Sequence, residues 1–290
     1  MPRDATSLGS IPADRAALRR RFEIERELAG RLRAAPKAER WRLYGPVYEE
    51  LFRRLPDQPQ LAQKADPAAR AVLTELQIQL LSPFLDGVET FLEIGSGDGS
   101  LVRSLAPEVS RVFAVEASET VIAGEDMPAN LRVLRAGSER IELPTGSVDL
   151  AFSCHFVEHL HPDDLADHLS EVRRVLRPGA PYVCVTPNRL LGPHDVSQHF
   201  SDVPQGLHLA EYGHRELGRA LEAAGFGQVR ALRGVGRPAT PWPLLPYALA
   251  EAVLDRLSAP LRRRLLSGFA GGRSAPPFRR LEQVKLAAWK

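Results

Sequence analysis

Three clusters of residues in this 290-residue sequence could do chemistry. The first is FLEIGSGDGSL, residues 91–101, where Gly95, Gly97 and Gly99 let the backbone turn tightly and approach a ligand that a Cβ would block. Glu93 precedes this loop and Asp98 lies within it. Two carboxylates beside a pocket suit a cation or the ammonium group of an amino acid. The spacing is neither the G-x-G-x-x-G dinucleotide fingerprint nor a P-loop, which would need a Lys and a Ser or Thr. Glu116 follows about 20 residues on, where doubly wound folds place an acid against ribose hydroxyls. The second cluster is SCHFVEHLHPDD, residues 153–164. His155, Glu158 and His159 match the H-x-x-E-H pattern of inverted zinc peptidases. On one turn of helix they would share a face and could converge on an ion. The same residues could instead hydrogen-bond within the fold, or His155 or His159 could do acid–base work. The third cluster is His194 beside Asp195, within TPNRLLGPHDVSQHF at 186–200, a candidate general base.

The elements that must position these groups follow from periodicity. Short β-rich runs alternate with helical stretches from Val88 onward: TFLEIG (90–95), RVFAVEA (111–117), LRVLRAG (131–137), VDLAFS (148–153) and PYVCVTP (181–187). That alternation predicts a parallel sheet covered by helices. A helix is expected from Pro162 to Leu176, stopped by RPG, and another from His214 to Ala224. Strands are expected near Gln228–Leu232 and in EQVKLAAW, 282–289. The first 87 residues read as helical, over 13–34, over Trp41–Leu55 with aromatics at 41, 44, 48 and 52, and over 67–85. Residues 234–280 interrupt the order with a proline-rich loop, an apolar helical stretch over 244–269 and a GGRSAPP segment. Four units are therefore expected: a helical extension or lid over 1–87, a core over 88–233, a helical insertion over 234–280 and a final core strand over 281–290.

Composition narrows the class of protein. With 44% hydrophobic and 26% charged residues the chain reads as globular rather than disordered or fibrous. The net charge of +2 conceals segments of +5 over 1–70, −2 over 71–87, −8 over 88–233 and +7 over 234–290. All eight histidines fall in the acidic block. The basic flanks carry no nucleic-acid signature and read as solvated helical surface. The apolar stretch in the insertion leaves a lid, a homodimer contact or a weak interfacial membrane contact open. No apolar run approaches a membrane span and no secretory signal stands at the amino terminus, so a cytoplasmic location is expected. Cys154 and Cys184 sit in apolar runs and read as buried thiols. His161 and His168 read as solvated.

E-I-G-S-G-D-G followed by V-E-A resembles the class I S-adenosylmethionine-dependent methyltransferases. LPTGSVDLAFS before the fourth strand, the helix ending in VLRPGA and the TPN leaving the fifth strand are similar too. The resemblance covers about Val88 to Leu232 and implies an α/β fold, a Rossmann-like doubly wound sheet of seven mostly parallel strands. It implies S-adenosyl-L-methionine (SAM) as cofactor. Glu93 and the backbone of Gly95 and Gly97 would hold its methionine part, and Glu116 its ribose. Ser96, Asp98, Ala117 and Ser153 complete the expected contacts, and Ser138 or Glu139 would approach the adenine.

The histidine cluster is similar to that of quinone O-methyltransferases and small-RNA 2′-O-methyltransferases, which carry E-x-x-E-H and, in the RNA enzymes, a later histidine, together binding Mg²⁺. Here His155 replaces the first glutamate, Glu158 and His159 match, and His208 resembles the later histidine. An imidazole in place of a carboxylate would favour Zn²⁺, Mn²⁺ or Fe²⁺. The activity so implied is methylation of a small-molecule acceptor, most simply at oxygen. The other acceptors to weigh are nitrogen or carbon of a metabolite, and an RNA terminus. A cofactor-binding regulatory protein is the non-enzymatic alternative.

Overall fold

The computed structural model describes residues 15–56, 66–118, 127–135, 140–234, 237–258, 261–262 and 283–290. Eight strands form one sheet: β1 (Thr90–Ile94), β2 (Arg111–Glu116), β3 (Leu131–Arg135), β4 (Leu150–Cys154), β5 (Pro181–Pro187), β6 (Gln228–Arg233), β7 (Thr240–Trp242) and β8 (Gln283–Trp289). Their order is β3-β2-β1-β4-β5-β8-β6-β7. Strands β1 to β5 pair in parallel, and β8 runs antiparallel between β5 and β6. Every residue of β1 is buried, as expected of a central parallel strand covered on both faces.

The strand count corrects the expectation of seven. β7 pairs antiparallel to the outside of β6, with Ala231 opposite Trp242 and Arg233 opposite Thr240. Its three residues include Pro241 and read in sequence as a proline-rich loop. An edge strand tolerates proline because one side of it needs no ladder donor.

Seven helices surround the sheet among the described residues: α1 (Arg15–Ala34), α2 (Lys37–Arg54), α3 (Pro67–Leu81), α4 (Ser100–Leu105), α5 (Pro162–Val175), α6 (His214–Ala223) and α7 (Leu245–Leu254). The strong starts are chemical. Asp66 caps α3 by accepting the Ala68 and Ala69 amides, with Pro67 at the first position. Leu165, Leu169 and Val172 of α5 pack on one face of the sheet, and Leu101, Val102 and Leu105 of α4 pack on the other. None of the helices is long and apolar enough to cross a membrane. The expected helix over 244–269 is seen as α7, and most of its remainder, like the GGRSAPP segment, lies outside the described residues.

A third apolar cluster joins α1 and α2 to the loops above the sheet, through Leu28, Leu32, Trp41 and Val47 against Leu160, Leu207 and Leu209. Polar fastenings reinforce it. Arg40 and the Tyr44 hydroxyl donate to the buried Asp164 carboxylate at 3.0 and 2.8 Å. The Arg33 guanidinium spans the carbonyls of Gln205, Gly206 and His208. Ser118, just past β2, donates to Glu49 of α2 at 2.7 Å. The bridge from α2 to both α5 and β2 fixes that helix over the carboxyl ends of the strands.

Candidate active site

Open parallel sheets bind ligands beyond the carboxyl ends of their strands, where the strand order reverses. Here that point lies between β1 and β4. A cavity of about 450 Å³ opens there, lined by the loops after β1, β2 and β4, by α2 and α3, and by β8.

The glycine loop forms its floor. Gly95 and Gly97 have φ of +72° and +54°, the left-handed region that side chains avoid. A Cβ on Gly95 would stand 2.7 Å from the Phe156 ring, whereas one on Gly97 would meet no protein atom within 4 Å. Glycine is required at the first position by packing as well as by conformation, and at the second by conformation and by room for a ligand.

The Glu116 carboxylate accepts the amides of Gly97 and Ala117 at 2.8 Å and of Ser118 at 3.2 Å, which ties the ends of β1 and β2 together. Burial pushes its pKa up against those hydrogen bonds. Glu93 is buried, and its Oε2 has no hydrogen-bond partner among the described residues. Burial, with the negative charges of Asp98 and Glu116, raises the Glu93 carboxyl well above the usual range. A cation placed between these carboxylates would relieve both effects. Ser96, whose buried Oγ is also unpartnered, lines the same cavity together with Asp98 and Ala117.

The second cluster rises from β4. His155 stands at φ +54°, unusual for a residue with a side chain, and its amide is held by the Val185 carbonyl at 2.9 Å. Only Val157–His159 forms a single 3₁₀ turn, so His155 does not share a helical face with Glu158 and His159. It reaches the glutamate differently, with Nδ1 3.1 Å from Glu158 Oε1. Thr186 donates to the other carboxylate oxygen at 2.9 Å. The Glu158 carbonyl accepts the amides of Leu209 and Ala210, drawing the 207–210 segment across and bringing His208 in.

Glu158, His159 and His208 thereby offer ligand atoms that all lie within 4.8 Å of one another. The His159 Nδ1 lies 3.0 Å from the Leu207 carbonyl, and the His208 Nδ1 lies 2.7 Å from Glu211 Oε1. With those nitrogens protonated, both Nε2 lone pairs are free to bind, the arrangement in which an outer hydrogen bond orients a metal-binding imidazole. The donor set fits a divalent ion that accepts two imidazoles and a carboxylate. His155 lines the cavity but lies outside this set, which corrects its place among the expected ligands. Burial pushes the His159 imidazole down to about 4, against the pull of Glu158. For Glu158, burial is outweighed by the His155 hydrogen bond and by the histidine charges, and the carboxyl falls to about 2.

Other expected residues lie elsewhere. The His194 Nε2 contacts the Asn188 carbonyl at 2.8 Å, and neither His194 nor Asp195 lines the cavity. Asp195 caps the short helix Val196–His199 through Ser197 and accepts the Gly206 amide, so its carboxylate is spent on the backbone. The Ser153 hydroxyl is buried against Tyr182 and Cys184 and does not line the cavity. Ser138 and Glu139 lie outside the described residues. His168 is buried beside Phe156 rather than solvated, and His161 caps α5 by accepting the Asp163 amide. Missed in sequence were Arg70, Gln77, Phe156 and the aromatic wall of α2, together with Glu211, whose position three residues after His208 is the signal that could have found it.

Residues 92–184 match the model of a methyltransferase domain. A protein of Mycolicibacterium smegmatis named as a probable S-adenosylmethionine-dependent methyltransferase is 34% identical over 137 residues, which cover 47% of this chain and 51% of the relative. The chain thus spans about half the length of that relative. A SAM-dependent methyltransferase from Archaeoglobus fulgidus superposes with a TM-score of 0.50 at 17% identity, over 76% of this chain and 94% of the other. The phosphoethanolamine N-methyltransferase 2 of Haemonchus contortus does so with a TM-score of 0.51 at 18% identity, over 82% and 60%. The glycine loop, the acid ending β2 and the shared fold agree with the match: residues 92–184 form a methyltransferase domain, similar to those of S-adenosylmethionine-dependent methyltransferases.

Proposed function

We propose that the protein transfers the methyl group of SAM to an oxygen of a small-molecule acceptor by in-line displacement. The observation that carries this reading is the continuity of one cavity from Gly95, Gly97 and Glu116 to His159 and the aromatic face of α2. Cofactor and acceptor can meet there without crossing solvent. Glu93 and the loop amides take the methionine part, and Glu116 takes the ribose hydroxyls. The sulfonium makes the methyl electrophilic. As the acceptor oxygen attacks, the S–CH₃ bond breaks, the O–CH₃ bond forms, and S-adenosylhomocysteine leaves with the bonding pair on sulfur. Alignment in a dry site supplies much of the rate.

Oxygen is favoured over nitrogen or carbon by the Glu158–His159–His208 group. A hydroxyl must lose its proton as it is methylated, and His159, which lines the cavity with the Glu158 carboxylate close enough to stabilise an imidazolium, is placed to accept one. A divalent ion on the same three residues would lower the pKa of a bound hydroxyl instead. The helices of the amino-terminal extension serve as the acceptor wall in either case.

Calorimetric binding of SAM and transfer of labelled methyl to a panel of hydroxylated acceptors test the reading. Saturable binding and base-stable label in the product are expected. Binding without transfer to any acceptor class would leave a sensor, and methylation confined to amines would move the reaction to nitrogen. Metal analysis before and after chelation decides between base and ion: full activity in metal-free protein assigns the proton to His159.

A further inference from the structure

The cavity is chemically divided. Among the described residues its acidic side chains, Glu93, Asp98 and Glu116, all stand at the carboxyl ends of β1 and β2 or on the loop after β1. Its Arg and Lys side chains, Arg70, Arg237 and Lys285, come instead from α3, from the segment after β6 and from β8. The acids face the part of the site that takes a sulfonium and an ammonium group. The basic residues border the remainder, which is walled by Trp41, Tyr44, Tyr48 and Phe52. Those four positions repeat at helical spacing and form one face of α2.

Among the described residues, three polar atoms on this side have no hydrogen-bond partner: Trp41 Nε1, the Tyr48 hydroxyl and Arg70 Nε. Trp41 is only 7% exposed, so water does not readily serve it. An indole N–H and a guanidinium N–H can only donate. Whatever relieves them must bring oxygen acceptors, and a guanidinium matches a carboxylate in both charge and planar geometry. The Tyr48 ring stands edge-on to His159 at 5.9 Å, which marks the reacting end. Trp41 lies two turns away, about 10 Å along the helix axis. A wall of this length and character suits a long, apolar acceptor that brings a hydroxyl to the His159 end.

Building on methyl transfer to oxygen as the reaction, we propose that the acceptor is an apolar aromatic hydroxy acid whose carboxylate is held by Arg70 and whose ring system lies on the Trp41–Phe52 face. Arg189, a half-buried arginine after β5, does not compete for this role, because it is paired with Glu216 and Asp255 and does not line the cavity.

The cofactor's own carboxylate is the other anion Arg70 could hold, and a matched pair of probes separates the two. Protein saturated with S-adenosylhomocysteine is titrated calorimetrically with 6-hydroxy-2-naphthoate and with the corresponding uncharged amide. The carboxylate is expected to bind at least about tenfold more tightly. Arg70→Gln should erase that preference while leaving the affinity for the amide and for S-adenosylhomocysteine unchanged, and Trp41→Phe should weaken both probes. Equal affinity for the two probes, or binding of neither, overturns the proposal. It is equally overturned if Arg70→Gln keeps the preference and instead weakens S-adenosylhomocysteine, which would assign the arginine to the cofactor. Failure of S-adenosylhomocysteine to bind wild-type protein would refute the methyl-transfer reading itself and this inference with it.

Discussion

The two ends of the cavity are built by different means. At the end proposed for the cofactor the cavity is bounded largely by backbone: two positive-φ glycines, a row of amides tied by Glu116, and carboxylates kept close together at electrostatic cost. Those parts come from short contiguous stretches at the ends of β1 and β2. At the end proposed for the acceptor the cavity is bounded by side chains gathered from α2, α3, the loop after β4 and β8, elements well separated in sequence. A shared cofactor demands one geometry, which local chain conformation can supply. A particular acceptor demands a particular wall, which tertiary packing must assemble.

The sharpest way to break this division is at Gly95, the one loop position that touches the acceptor side through Phe156. Gly95→Ala should cost about 1–3 kcal/mol of stability from overpacking and forbidden φ, and should abolish measurable SAM binding. Gly97→Ala, which meets no protein atom, should lose affinity with far less loss of melting temperature. Equal destabilisation by the two would deny the Phe156 contact. Next in size, Glu158→Gln should lower turnover by about 100-fold or more while SAM affinity, measured calorimetrically, stays within about twofold. A matching loss of affinity would erase the distinction between the ends.

Glu93→Gln belongs wholly to the cofactor end and should weaken SAM about tenfold. Its linkage has a definite sign. Because the folded-state pKa of Glu93 is raised, the folded protein binds more protons than the unfolded chain, and stability falls as pH rises from the unfolded value of about 4.3 through the raised one. The apo variant should therefore melt higher than wild type at neutral pH, with the gap closing toward pH about 4. Wild-type protein should also release protons on binding SAM, seen as a dependence of the binding enthalpy on buffer, and the variant should release fewer. The smallest effect is expected at His194, which lies at neither end: His194→Ala should keep turnover within about twofold and cost about 1 kcal/mol through its lost hydrogen bond. A large loss of turnover would return His194 to the chemistry.

How much of this was legible in the sequence follows the same division. Strands β1 to β5 announce themselves by short β-rich runs, with Gly95 directly after β1 and Pro187 ending β5, and the glycine loop with Glu116 is readable as a cofactor signature because its residues lie in short contiguous stretches. The proximity of Glu158, His159 and His208 could be anticipated only by likeness to other enzymes, since 48 residues of intervening chain separate the two imidazoles and a pair of hydrogen bonds to the Glu158 carbonyl closes the gap. His194 and Asp195 looked like a base and its partner because adjacent polar residues share a neighbourhood on paper. In the folded chain one points to a carbonyl and the other to amides. The aromatic stripe of α2 was visible as a periodicity, but amphipathic spacing does not say whether the apolar face meets protein or ligand. β7 was missed because three residues carry no period.

The anchoring of α2 has a consequence for how relatives of this chain can diverge. Gly45 lies against the Ala117 carbonyl, Glu49 accepts from Ser118, and Arg40 and Tyr44 grip Asp164, so the helix is fixed in both rotation and translation. Inserting or deleting one residue between Arg40 and Glu49 would turn the residues beyond it by about 100° and carry aromatic side chains out of the cavity. New acceptors are therefore to be reached by exchanging side chains at 41, 44, 48 and 52 at constant length, while variation in length is confined to the segments that connect the helices.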